Sequence, residues 1–145
     1  MWSKSFDCGL KENGVGITEN GSSLIVTADM QQSGADAEGV ITELNKANGK
    51  IIKAIKLHPY TGSLNSPYIS KDLSNGGYWI SGHLTDKSQP SKMQQVIIRL
   101  DDNLNITTSY KLVLPEYANN NFAGFQYMQN GGFIACSGME SKSNG

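Results

Sequence analysis

Apolar residues occur along this chain in short runs, each bounded by turn-forming residues. Leu24-Ile25-Val26, Tyr78-Trp79-Ile80 and Val96-Ile97-Ile98 are unbroken, and polar stretches rich in Asn, Gly and Ser separate them. Runs of this length with such punctuation predict β-strands rather than helices. The pattern also repeats. Asn20-Gly21 precedes SSLIVTA, Asn75-Gly76 precedes GYWISG and Asn130-Gly131 precedes GFIACSG, with 55 residues between successive glycines. Val40-Ile41-Thr42-Glu43-Leu44 returns as Val96-Ile97-Ile98-Arg99-Leu100 at a spacing of 56, and Lys56-Leu57 as Lys111-Leu112 at 55.

Each repeat predicts four strands. The first covers roughly Gly14 to Glu19, then Pro67 to Lys71, then Phe122 to Met128. Asn-Gly joins it to the second strand, and the pair tolerates the positive φ of a type I′ hairpin turn. The second and third strands hold the apolar runs and form the core, covered on both faces by neighbouring sheets. Alternation then points Tyr78 and Trp79 at opposite neighbours. The fourth strands, Lys50 to Leu57 and Asn105 to Leu112, carry Lys53, Lys56 and Lys111, which suit an outer edge because charge discourages stray pairing. The expected organisation is a part-repeat over 1–13, full repeats over 14–57 and 66–112, and a partial repeat over 122–145.

Composition narrows the function classes. With 145 residues, 38% of them hydrophobic, and a net charge of −1, the chain is long enough for a packed core. Twelve basic residues against 13 acidic ones, without a basic cluster, argue against nucleic acid as a partner. No run of 18 apolar residues predicts membrane insertion, and MWSKSFDCGLK lacks the apolar centre of a signal peptide. Cys8 and Cys136 are too few for a disulfide scaffold and match no metal spacing; Cys136, in an apolar strand, is expected to be buried and inert.

Trp2-Ser3-Lys4-Ser5-Phe6, the Asn-Gly-Gly-aromatic segments ending at Gly82 and Gly138, and Leu44-Asn45 with Gly49 resemble the β-propeller repeats of bacterial secreted and surface proteins. Those repeats read W-x-K-x-F/Y, DGG-F/Y-x-x-G and L-D/N-x-x-G. The resemblance implies an all-β fold of four-stranded propeller blades and an exported or cell-surface location. Two departures stand out: the first-element Trp occurs once, and Asn105 is aligned with Gly49. In this phasing the chain opens on a fourth strand at Trp2 to Phe6 and ends after the second strand of a third repeat, eleven strands in all. Rings ordinarily need about 4 to 8 blades. The expectation is therefore a piece of a longer chain, or self-association that completes the ring.

In such blades the connections from strand four to strand one and from strand two to strand three share a face. Here those are the long polar segments Asp7 to Asn13, His58 to Ser66, Pro115 to Asn121, Asp29 to Glu38, His83 to Gln94 and Met139 to Gly145. Long loops on a rigid scaffold are where binding concentrates. His58-Pro59-Tyr60 is echoed by Pro115-Glu116-Tyr117, so Tyr60 and Tyr117 either pack loops onto the next blade or present rings to a ligand. His58 and His83, the only histidines, with Asp86 complete the ligand-binding candidates.

Catalysis and metal binding find less support. Two unspaced histidines make a weak metal set, no Gly-x-Ser-x-Gly elbow occurs, and Asp101-Asp102-Asn103-Leu104-Asn105 reads as a turn because Ile106 stands where a calcium loop needs Gly. Asp29, Asp36 and Glu38 read as solvated loop charges. No cofactor is expected. The reading is a non-catalytic interaction module for a protein or glycan partner. The alternative is a scaffold portion of a larger propeller hydrolase or lyase with its catalytic residues elsewhere.

Overall fold

A computed structural model describes residues 3, 11–31, 37–58, 62–85, 93–112, 117–128 and 130–141. All ten elements are strands: β1 (Lys11–Asn20), β2 (Ser23–Gln31), β3 (Ala37–Asn45), β4 (Ile51–Leu57), β5 (Ser63–Lys71), β6 (Tyr78–Thr85), β7 (Met93–Leu100), β8 (Ile106–Leu112), β9 (Tyr117–Tyr127) and β10 (Phe133–Ser141). They form two four-stranded antiparallel meanders, β1-β2-β3-β4 and β5-β6-β7-β8, and a hairpin of β9 with β10. The chain is all-β among the described residues. The opening strand expected at Trp2 to Phe6 lies, apart from Ser3, outside them.

The sheets stack in sequence order. β5 lies against β1, β2 and β3, and β9 against β5, β6 and β7; we call these contacts the first and second seams. Between the two four-stranded sheets lies one core cluster, in which Ile25, Ile41 and Leu57 of the first sheet meet Leu64, Tyr78, Ile80, Leu84, Val96, Ile98 and Leu100 of the second. Tyr78 faces this core, while the ring of Trp79 stacks on Tyr127 of the hairpin with centroids 5.7 Å apart. The expected division of the two aromatics between neighbours is what the structure has. β4 and β8 are edge strands and almost wholly exposed, as their lysines suggested.

The three Asn-Gly dipeptides make three different turns. At the first, Asn20 pairs with Ser23, so the central residues are Gly21 and Ser22. Only Gly21 has positive φ, which is the II′ pattern and not the expected I′. The second is a six-residue connection between Lys71 and Tyr78, in which Gly76 and Gly77 both have positive φ. A Cβ on Gly77 would lie 2.2 Å from the Leu100 carbonyl oxygen, so only glycine fits. The third has five residues between Tyr127 and Phe133. Gly49 has a conformational counterpart after all: Leu104 takes the same left-handed φ, 66° against 68°. The Asp101 carboxylate holds that turn by accepting the N–H groups of Asn103 and Asn105.

The second turn is closed by a polar knot. Asp72 Oδ1 accepts the N–H groups of Ser74 and Asn75, Oδ2 accepts the Trp79 indole, and Arg99 pairs with Oδ2 at 3.1 Å while donating to the carbonyls of Tyr78, Leu100 and Gly76. Burial pushes the Asp72 pKa up, but the two backbone bonds, the indole and Arg99 outweigh it and hold the carboxyl below its usual range.

Strands run further into the expected loops than their polar composition suggests. Asn13, Asp29, Asn65 and His83 are all ladder residues. Asp29 is 6% exposed, contrary to the reading of a solvated loop charge. Alternation explains this: a polar side chain facing a neighbouring sheet continues the strand when that sheet supplies a partner.

Candidate functional site

Cross-strand pairing places Asp29 between Asn13 of β1 and Gly39 of β3, and His83 between Asn65 of β5 and Gln95 of β7. Asp29 and His83 therefore hold the same place in consecutive sheets. Thr27, two residues nearer the Asn20 turn, corresponds in the same way to Ser81. Beside these positions the first strand of every unit bulges. Val15 is skipped in β1, Ser66 and Pro67 interrupt the pairing of β5, and Ala123 is skipped in β9. A bulge frees backbone groups from the ladder, and something else must satisfy them.

At the first seam the previous sheet does so. The Thr27 hydroxyl donates to the Pro67 carbonyl, and Asp29 Oδ2 accepts the Ser66 N–H at 3.1 Å. Asp29 Oδ1 accepts Asn13 Nδ2 at 2.9 Å, so both oxygens are occupied. Ser66 is held at a φ of 48°, a conformation that costs a non-glycine residue of the order of 1 kcal/mol and needs such anchoring.

At the second seam the corresponding groups have no partner among the described residues. Ser81, wholly buried, and Gln95, 4% exposed, share with His83 the face that Trp79 turns to the hairpin. Ser81 Oγ, His83 Nδ1 and Gln95 Nε2 are all buried without a hydrogen-bond partner among the described residues. Each such group costs about 1 to 3 kcal/mol when left unsatisfied. All three lie on one face of the sheet. Two further atoms need separate mention. The Tyr78 hydroxyl is also unpartnered, on the core side, and its pKa is pushed up to about 12 by burial, then by Asp102 and Glu43. Glu38 Oε2 is ion-paired with Lys56.

Burial lowers the His83 pKa, opposed in part by the Asp29 carboxylate, so the imidazole is neutral at pH 7. A neutral imidazole, a hydroxyl and an amide N–H offer donors and acceptors without net charge. The lower part of the seam is fully satisfied: Ser70 Oγ accepts Tyr127 N–H and Gln126 Nε2, and Arg99 lies over the Trp79 ring at 5.2 Å.

Of the five residues expected to bind ligand, His83 alone enters this group. His58 is exposed just beyond β4. Tyr60 and Asp86 lie outside the described residues, as does the side chain of Tyr117, which opens β9. Ser81 and Gln95 gave no sequence signal, since only the ladder shows that they flank His83. Cys136 is exposed on β10 and not buried as expected, because among the described residues no sheet covers that side of the hairpin.

No family model, curated protein or solved structure matches the chain.

Proposed function

We propose that the chain is a set of β-propeller blades serving as a non-catalytic interaction module, with a protein or glycan partner held at the end from which the long connections rise. Sequential meanders stacked face to face, with a bulged first strand in each, support the blade reading. The observation that carries the binding reading is the trio Ser81, His83 and Gln95, whose buried atoms lack partners at the positions where the preceding sheet binds backbone. Groups that grip an N–H and a C=O at one seam suit a ligand offering the same pair at the next, as a sugar or a peptide does. An exported or cell-surface location accords with that role.

The test is a screen of the whole protein against a glycan array and a panel of purified surface proteins. His83→Ala is expected to weaken any hit at least tenfold, with Tyr60→Ala and Tyr117→Ala reporting on the flanking connections. Unchanged binding by all three variants contradicts the site.

A further inference from the structure

We propose that this protein associates with copies of itself head to tail, the outer face of the first sheet receiving the outer face of the hairpin of a second copy. The first of these faces is an apolar groove of about 510 Å³ on β1 to β4, lined by Val26, Ala28, Met30, Val40, Thr42 and Ala54. Ile17 and Ile51 stand 62% and 51% exposed, Ile51 lining the groove and Ile17 sharing the face through its pairing with Val26. Exposure of this many apolar side chains on one sheet face marks a surface that is covered in use.

The ladder says what covers it. Val40 and Thr42 hold the places of Val96 and Ile98, both wholly buried, and the sheet that buries Val96 and Ile98 is the first sheet of this same chain. The groove thus continues an interface that the protein already builds between its own repeats. Its complement is the opposite side of a sheet. At the other end of the stack that side is uncovered among the described residues: Ile134 is 56% exposed and Cys136 is exposed, at the 55-residue spacing from Trp79 and Ser81, whose face the hairpin covers. The two open faces are therefore the two halves of the contact already made at each seam. Being unlike, they join heterologously, which gives a closed ring or an open array and not a twofold dimer.

Sedimentation of the full chain across a concentration series tests this. The unmodified protein is expected to form assemblies above its 15.7 kDa monomer mass. Thr42→Lys, which blocks the groove, and Ile134→Lys, which blocks the hairpin, are each expected to leave a monomer. An equimolar mixture of the two is expected to give a dimer, because each then contributes one intact face. A wild-type monomer at all concentrations overturns the proposal, as does either variant keeping wild-type mass or a mixture that stays monomeric. Should a variant lose its strand circular dichroism, the unmodified protein still decides. Maleimide labelling of Cys136, read by peptide mass, is expected to slow at least fivefold in concentrated protein, and a constant rate overturns the proposal.

Discussion

The two seams are built on one plan and filled differently. At the first, Thr27 and Asp29 grip the bulge of the next strand and Ile25 and Ile41 close the space beside them. At the second, the same ladder positions carry Ser81 and His83, whose Oγ and Nδ1 are buried and unmatched among the described residues, and Gln95 Nε2 adds a third. The first seam thus satisfies its polar groups within the protein, whereas the second leaves Ser81 Oγ, His83 Nδ1 and Gln95 Nε2 without partners among the described residues. On the proposed function, stability measurements should rank the first seam above the second and binding measurements the reverse.

The largest effect belongs to the first seam. Ile41 is wholly buried there, and Ile41→Ala is expected to cost about 3 to 4 kcal/mol in urea denaturation. A loss under about 1 kcal/mol would mean that the sheets do not pack through it. Asp72→Ala comes next, at about 2 to 4 kcal/mol, because it strands Arg99 and releases the N–H groups of Ser74 and Asn75. The Asp72 pKa is lowered in the folded state, so its contribution is present above the unfolded value of 3.8 and lost as pH falls through the folded one. Replacing Asp72 with Asn should flatten that acid limb of the stability curve.

A smaller effect separates His83 from Asp29. His83 binds its proton at lower pH in the folded protein than in the unfolded chain, where the value is 6.5. Between those values the unfolded state holds more protons, so stability falls as pH drops below 6.5 and is unaffected above it. His83→Gln should remove this slope; a slope that survives the substitution assigns it to another group. Smallest of all is Tyr78→Phe, expected to change stability by less than about 1 kcal/mol, since it deletes a buried hydroxyl with no hydrogen-bond partner among the described residues.

Much of the scaffold was legible. The 55-residue recurrence of Asn-Gly and the Val-Ile-x-x-Leu runs gave the strand order, and lysines on the fourth strands marked the edges. Strand ends were not, because Asn13, Asp29, Asn65 and His83 look like loop residues until the neighbouring sheet that satisfies or faces them is in place. The turns were also misread in detail, since Asn-Gly closes a two-residue II′ turn at Gly21 but sits inside longer connections at Gly76 and Gly131. The site was legible only through His83. Ser81 and Gln95 are ordinary strand residues by type, and their meaning comes from register: Ser81 stands where Thr27 stood, and Gln95 lies across the ladder from His83. A bulge, which shifts that register by one, leaves no compositional trace in Val15 or Ala123.

The unequal filling of the seams is tested most directly by measuring urea unfolding of Asp29→Ala beside the double variant Ser81→Ala, Gln95→Leu. Asp29→Ala frees the Ser66 N–H and Asn13 Nδ2 and should lose about 2 kcal/mol. The double variant removes Ser81 Oγ and Gln95 Nε2, which have no partners among the described residues, and should equal or exceed the wild type. A double variant that loses as much as Asp29→Ala would contradict the account, because its side chains would then be bonded within the folded protein.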